Sequence, residues 1–239
     1  MIVRSANDGV QLITQPDHAH LARIIMERCT SLENRPRRDA ILLAIDAHDN
    51  GWVEEDAAPT VDPATGQVVD FVVAPVSVRH AVWPRAVARL SHAPWSAALV
   101  AQHAITAYDR YRADPAWTRF FVDMEALRDE WMRAAGLPIQ ELLADYAFVR
   151  LADLISLVFC TGWSQPQQFG DWTVRLFENQ VIVAPDAFGG AAVPVAIDAK
   201  QIGKRVFADD ADLRAAIRDA HTVTLRGEVV GQAGDAAAP

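Results

Sequence analysis

The segment from Phe148 to Phe159 is apolar on nearly every face of a helix, yet Asp153 lies near its centre. A helix of this kind is buried in a globular protein, because a surface helix keeps one polar face. An ionised carboxylate is costly to bury unless it is paired or bound to a metal. The sequence therefore predicts a central helix that brings a partnered carboxylate into the core. Arg150, one turn earlier, is one candidate partner, and a metal ion is another.

Three histidines are also predicted to face the core. His18 begins an apolar stripe on its own helix, and His103 lies on the inner face of a later helix. His48 and Asp49 end the most apolar helix of the chain. A single histidine of this type is usually an ordinary core residue. Imidazoles and carboxylates together, however, suit iron, manganese, zinc or cobalt rather than calcium. We therefore predict one divalent transition metal bound by His18, His48, Asp49 and Asp153.

Most of the chain has helical periodicity, which predicts helices at about 15–33, 36–48, 75–91, 95–112, 115–135 and 138–162. An irregular stretch at 49–74, rich in Asp, Pro and Gly, is typical of a functional loop or of disorder. Turn signals and short β-type patterns predict strands at 2–4, 10–14, 172–176, 181–183, 193–197 and 222–229, with a short helix at 209–220.

These elements predict a mainly α protein with three regions. Residues 1–164 form a helical metal-binding core that carries the N-terminal hairpin. Residues 165–230 form a small α+β appendage packed on that core, and the N-terminal strands contribute to this small β-rich unit. Residues 231–239 lack core-forming side chains and are predicted to be a disordered tail.

The charge balance narrows the classes of partner. The formal net charge is −9 and the arginines are scattered, so a duplex nucleic acid is disfavoured as a partner.

There is no apolar run long enough to span a membrane and no signal-peptide pattern at the N-terminus. Cys29 and Cys160 lie in apolar helical patterns and read as buried thiols. We therefore expect a cytoplasmic protein with a small-molecule substrate. A homodimer through an exposed strand edge stays open.

The order of His18, the pair His48-Asp49 and then Asp153 on successive helices resembles the HD superfamily of metal-dependent phosphohydrolases. The flanking sequence is more similar still to an HD-like family of unknown function. The resemblance covers about residues 1–230, and the matching stretches are 12–19, 48–52 and 153–157. It implies an HD-like helical core, and it makes these same four residues the metal ligands.

Dinuclear enzymes of that superfamily have two further histidines between the His-Asp pair and the last aspartate. This chain has His80, His92 and His103 in that interval, and only His103 lies convincingly on an inward face, which favours one metal. The resemblance implies hydrolysis of a small phosphorylated metabolite or nucleotide. Asp49 or Asp17 would then orient the attacking water, and His103 would protonate the leaving group or hold a phosphate oxygen.

Three other functions remain open at this point. One is an iron oxygenase on a related helical scaffold, and another is a non-catalytic metal-binding or scaffold protein. The third is a three-histidine metal hydrolase of a different fold. Arg79, Arg85 and Arg89 recur on one predicted helix and are candidates for holding phosphate, although arginines on helices usually form a solvated face.

Overall fold

A computed structural model describes residues 1–233, which form one sheet and a set of helices. The strands are β1 (Ile2–Ala6), β2 (Gly9–Ile13), β3 (Gln167–Phe169), β4 (Trp172–Phe177), β5 (Gln180–Ala184), β6 (Val193–Gly203) and β7 (His221–Gly231). The helices are α1 (Gln15–Met26), α2 (Thr30–Glu33), α3 (Arg38–Ala47), α4 (Val53–Ala57), α5 (Val76–Arg89), α6 (Pro94–Ala107), α7 (Thr118–Ala135), α8 (Ile139–Thr161) and α9 (Asp210–Asp219). Of these helices, α1, α8 and α9 pack on the strands. Single 3₁₀ turns cover Asn50–Trp52, Phe71–Val73, Asp109–Tyr111 and Pro115–Trp117.

The sheet has seven strands in the order β1-β2-β6-β7-β5-β4-β3. Neighbouring strands are antiparallel except for β5 and β7, which are parallel. The N-terminal hairpin therefore joins the strands of the C-terminal third through the pairing of β2 with β6. The strands of the N-terminal hairpin and those of the C-terminal third therefore belong to one sheet.

The predicted mainly α fold is wrong. The structure is 52% helix and 21% strand, with a curled mixed sheet, so it is a substantial α/β fold rather than a helical core with a small β unit. The main reason is the length of β6 and β7, which have 11 residues each. Buried and exposed residues alternate along β6, but its second half contains Asp198, Lys200 and Gly203, which are uncommon in strands, so the predicted strand stopped at residue 197.

The helices that surround the candidate site follow from local sequence signals. The Thr14 side chain accepts a hydrogen bond from the backbone N–H of Asp17 and so caps α1, and a proline lies in its first turn. The predicted single helix at 15–33 is divided into α1 and α2. Helix α8 ends at Thr161, and the next residue, Gly162, has a φ of 71° in the left-handed region that glycine adopts without strain.

The predicted irregular stretch 49–74 is more ordered than expected. It contains α4 and two 3₁₀ turns, and an isolated bridge pairs Val61 with Val68. It also covers the edge strand β1, because the Val3 amide donates to Asp70 and the Phe71 amide donates to the Met1 carbonyl. This contact occupies the outward-facing amide of Val3, near the start of the edge strand.

Two further observations complete the fold. No helix within residues 1–233 combines the length and the apolar character needed to cross a bilayer. Of the predicted disordered tail, Gly231 is the last residue of β7, and residues 234–239 lie outside the part of the chain that the structure describes.

Candidate metal centre

The structure brings together the four residues that the sequence singled out as ligands. His18 comes from the first turn of α1, and His48 and Asp49 directly follow α3. Asp153 comes from the middle of α8. All four are buried, with between 0% and 6% of their surface exposed. Such burial leaves the two carboxylates dependent on partners inside the protein.

The facing atoms of these side chains form a compact group. The His18 Nε2 atom lies 3.2 Å from both His48 Nε2 and Asp49 Oδ2, and 3.5 Å from Asp153 Oδ1. The His48 Nε2 atom lies 3.4 Å from Asp49 Oδ2 and 3.5 Å from Asp153 Oδ1. A tetrahedral site with ligand bonds of about 2.1 Å has edges of about 3.4 Å. The spacing therefore fits the ligands of a metal ion, and the group formed by His18, His48 and Asp49 could hold one.

The outer nitrogens of both histidines are hydrogen-bonded. The Nδ1 atom of His48 lies 2.7 Å from the Ile45 carbonyl oxygen, which only accepts, so Nδ1 carries the proton. The Nδ1 atom of His18 lies 2.8 Å from Ser156 Oγ, whose own proton is directed to the carbonyls of Ala152 and Asp153. Both Nδ1 atoms therefore donate, and both Nε2 atoms face the cluster. Such outer hydrogen bonds fix the orientation of ligating histidines.

The two aspartates favour positive charge on the imidazoles. Burial would lower the pKa of His18, but hydrogen bonds and charges from Asp153 and Asp49 outweigh it and raise the pKa to about 9. Burial also opposes protonation of His48, and the Asp49 charge nevertheless raises its pKa. Burial would raise the pKa of Asp49, but the two histidines lower it. The cluster thus attracts positive charge, either as protons or as a shared cation.

His103 lies at the side of this group. Its Nε2 atom is 3.8 Å from Asp153 Oδ2, and its Nδ1 atom is 3.3 Å from the Tyr146 hydroxyl. With His48 and Asp153 it forms a second group of potential ligand atoms, within 4.8 Å of one another. Burial lowers the pKa of His103 to about 3, so the imidazole is neutral near pH 7.

Of the two partners that the sequence offered for Asp153, the structure contains Arg150, and the histidines of the cluster are further partners. Arg150 forms an ion pair with Asp153 Oδ2, while Asp153 Oδ1 faces His18 and His48. Burial would raise the pKa of Asp153, but the surrounding histidines and Arg150 hold it well below its ordinary value. The carboxylate is therefore ionised and shared between the arginine and the histidine cluster.

A cavity of about 210 Å³ adjoins the cluster. Asp49, Asp153 and His103 line it, whereas His18 and His48 do not, so the cavity meets the cluster on its carboxylate side. Its other polar walls include Arg79, Arg110 and Arg150, and its aromatic walls include Trp52, Trp83, Tyr108 and Trp163. A concave site with a few converging polar groups is the usual form of a small-molecule site.

Several residues that the sequence put forward lie elsewhere. Asp17 is exposed and bonded to Thr14 at the start of α1. Arg85 and Arg89 pair with acidic residues of α4 and with the carbonyls of Gly51 and Asn50. Of the three arginines on that helix, only Arg79 lines the cavity.

The remaining histidines of the same interval are also outside the cluster. His80 stacks on Phe120, with ring centroids 5.0 Å apart, and His92 is exposed. His20 is paired with Asp46 at the surface.

Ser156 is the contact that sequence reasoning missed. It is fully buried and orients His18 from one helical turn beyond Asp153. A third polar residue in the apolar segment 148–159, after Arg150 and Asp153, was the available signal, although a buried serine commonly bonds only its own helix carbonyls.

The packing of the turn that follows Asp49 explains why residue 51 is glycine. A Cβ atom built on Gly51 would lie 1.9 Å from the Val82 carbonyl oxygen of α5. The turn Asn50–Trp52 therefore packs against the α5 backbone at a distance that only glycine permits. This contact holds Asp49 and Trp52 at the cavity wall.

Comparison with known proteins gives a family without an assigned activity. No curated protein and no solved structure matches the chain. Residues 1–207 match the family described as "Protein of unknown function (DUF3891)". Because this match covers most of the sequence, including every residue of the cluster, the chain belongs to the DUF3891 family.

Proposed function

We propose that this protein is a metal-dependent hydrolase of phosphoric esters, with one divalent transition metal held by His18, His48, Asp49 and Asp153. The observation that carries the proposal is the set of distances, 3.2 to 3.5 Å, that join the histidine nitrogens to each other and to the carboxylate oxygens. The resemblance of these residues to the HD superfamily supports the same reaction. When bound, a metal of this type supplies Lewis acidity toward water and toward a phosphoryl oxygen.

The chain's own groups have distinct tasks in this proposal. Asp49 belongs both to the ligand group and to the cavity wall, so it can accept a hydrogen bond from the attacking water and orient it. We assign this role to Asp49 rather than to Asp17, which is exposed and bonded to Thr14 in the cap of α1. His103 is neutral, so it acts by donating a hydrogen bond to an oxygen of the substrate rather than by delivering the proton of an imidazolium.

The test is the metal content of protein purified without a histidine tag, measured by mass spectrometry. Wild type is compared with Asp49→Ala and Asp153→Ala, and with Asp46→Ala as the matched control. Asp46 lies in α3, shortly before His48 and Asp49, but its carboxylate pairs with His20 at the surface rather than with the cluster. We expect near-stoichiometric metal in wild type and control, and loss of the metal in both cluster variants.

Other outcomes discriminate among the alternatives. A metal-free wild type, even after reconstitution with iron, manganese, zinc and cobalt, would overturn the proposal and favour a non-catalytic protein. Bound iron with a visible absorption band and no hydrolysis of phosphomonoesters or nucleotides would instead favour an iron oxygenase. Hydrolysis that Asp49→Ala abolishes and Asp46→Ala retains would establish the reaction class.

A further inference from the structure

Arg79 is a buried cation without an acidic partner. Only 9% of its surface is exposed, and no carboxylate within residues 1–233 lies within ion-pairing distance of it. Its Nε atom has no hydrogen-bond partner in that part of the chain, and its Nη1 atom makes one long contact, 3.4 Å, with the Tyr111 hydroxyl. A buried charge is unfavourable unless it is paired, so this guanidinium retains unused capacity for an anion.

The surroundings hold Arg79 in place without neutralising it. Its guanidinium carbon lies 5.9, 5.4 and 5.1 Å from the ring centroids of Tyr108, Tyr111 and Trp117, respectively. Aromatic faces attract a cation and restrict its orientation, but they leave its N–H donors free. By contrast, Arg85 and Arg89 on the same helix are both paired with Glu54.

The position of Arg79 relates it to the proposed reaction. It lines the same cavity as Asp49 and Asp153, together with Arg110 and Arg150. Arginines therefore outnumber carboxylates on the wall, and a divalent cation at the cluster would make the cavity more positive still. Such a field favours an anionic ligand.

We infer that Arg79 binds an oxyanion group, phosphate or carboxylate, of a compact substrate. The inference rests on the proposed function, because it takes the cavity beside the cluster as the substrate site. The planar guanidinium presents parallel donors that match the oxygens of such groups. The cavity volume of about 210 Å³ is below the range of roughly 300 to 1,000 Å³ typical of drug-sized ligands. This favours a small metabolite over a nucleotide.

The experiment is a titration of chelator-treated, metal-free protein with inorganic phosphate and, separately, with malonate. Binding is followed by calorimetry and by tryptophan fluorescence, since Trp52, Trp83 and Trp163 line the cavity. We expect binding of at least one anion, weakened about 10-fold or more in Arg79→Gln. Arg119→Gln removes the same charge from the exposed face of α7 and should bind as wild type does. The anion bound more tightly identifies the class of oxyanion.

Equal affinities in wild type and Arg79→Gln would overturn the inference, as would the absence of binding of either anion. Adenosine monophosphate binding at least as tightly as phosphate would contradict a compact substrate. If Arg79→Gln fails to fold, Arg79→Lys keeps the charge but loses the planar fork, and it should weaken binding about 3-fold or more. Because the protein is metal-free, failure of the proposed metal site appears only in the metal content and leaves this result intact.

Discussion

Asp153 and Ser156 act on the same histidine from opposite sides of its ring. Asp153 Oδ1 lies 3.5 Å from Nε2 of His18, and Ser156 Oγ lies 2.8 Å from Nδ1. Both residues come from α8, one helical turn apart. A single helix therefore supplies both a potential ligand and the group that would orient another ligand.

We predict that Ser156→Ala weakens metal binding about 10-fold to 100-fold, because the Nδ1 proton of His18 loses its acceptor. Competition with a metal-chelating dye measures the effect. Ser96→Ala is the matched control, since Ser96 is also fully buried but donates to the Ala40 carbonyl. Equal metal affinities in Ser156→Ala and wild type would contradict the orienting role.

Asp145 is a second buried carboxylate, and its surroundings are those of a structural ion pair. It is fully buried and accepts hydrogen bonds from Arg35 Nε at 2.9 Å, Arg37 Nε at 2.8 Å and Trp95 Nε1 at 3.0 Å. It shares no histidine with the candidate metal centre. We therefore interpret it as a support that joins the turn before α3 to α6 and α8.

We predict that Asp145→Ala lowers the free energy of unfolding by about 1.5 to 3 kcal/mol, because it leaves the buried Trp95 indole and two partly buried arginines without an acceptor. Urea denaturation measures the loss. Glu141→Ala removes a half-exposed partner of Arg37 and should cost less than about 1 kcal/mol. Loss of metal from Asp145→Ala protein that is still folded would show that the two clusters are coupled.

At the scale of elements, the close contact between the Asn50–Trp52 turn and α5 determines where Asp49 lies. The backbone approach at Gly51 leaves no room for a side chain. Arg85 of α5 reinforces the contact by donating to the Gly51 carbonyl at 3.0 Å. Helix α5 thus contributes to the site through its backbone as well as through Arg79.

We predict that Gly51→Ala lowers the free energy of unfolding by about 1 to 3 kcal/mol and weakens metal binding, because the turn must move away from α5. Thermal denaturation and metal content measure the two effects. Gly203→Ala is the control, since a Cβ at that position meets no atom within 4 Å. Similar melting temperatures and metal contents for the two variants would contradict the importance of the contact.

Helical periodicity was the basis for predicting which side chains face the core. It predicted that His18 and Asp153 face the core, because His18 lies in an apolar stripe and Asp153 lies in a segment that is apolar on nearly every face. It could not separate Arg79 from Arg85 and Arg89, since the difference lies in which loop or ring packs on each one. It also underestimated the sheet, because strand length depends on partners that are distant in sequence.

At the scale of the whole molecule, the charged cluster makes stability depend on pH. The pKa of His18 rises from an ordinary value of 6.5 to about 9 in the folded protein. The resulting stabilisation is fully present below pH 6.5 and is lost as the pH rises through about 9. His48 is shifted in the same direction.

We therefore predict that the melting temperature of chelator-treated protein falls between pH 6.5 and 9. His18→Gln should flatten this dependence, whereas His20→Gln, at an exposed pair with Asp46, should retain it. Calorimetry across this range provides the measurement. A melting temperature that rises with pH in wild type would show that the histidines are not held as cations by the aspartates.

The pairing of β2 with β6 has a consequence for the order of events during synthesis. Strand β2 leads directly into α1, yet Gln11 of β2 bonds Gln201 of β6, 190 positions later in the chain. At about 5 to 20 residues per second, a ribosome needs roughly 10 to 40 s to cover that separation. The nascent chain therefore carries His18 for most of its translation before β6 exists, so the sheet supports the start of α1 only near the end of synthesis.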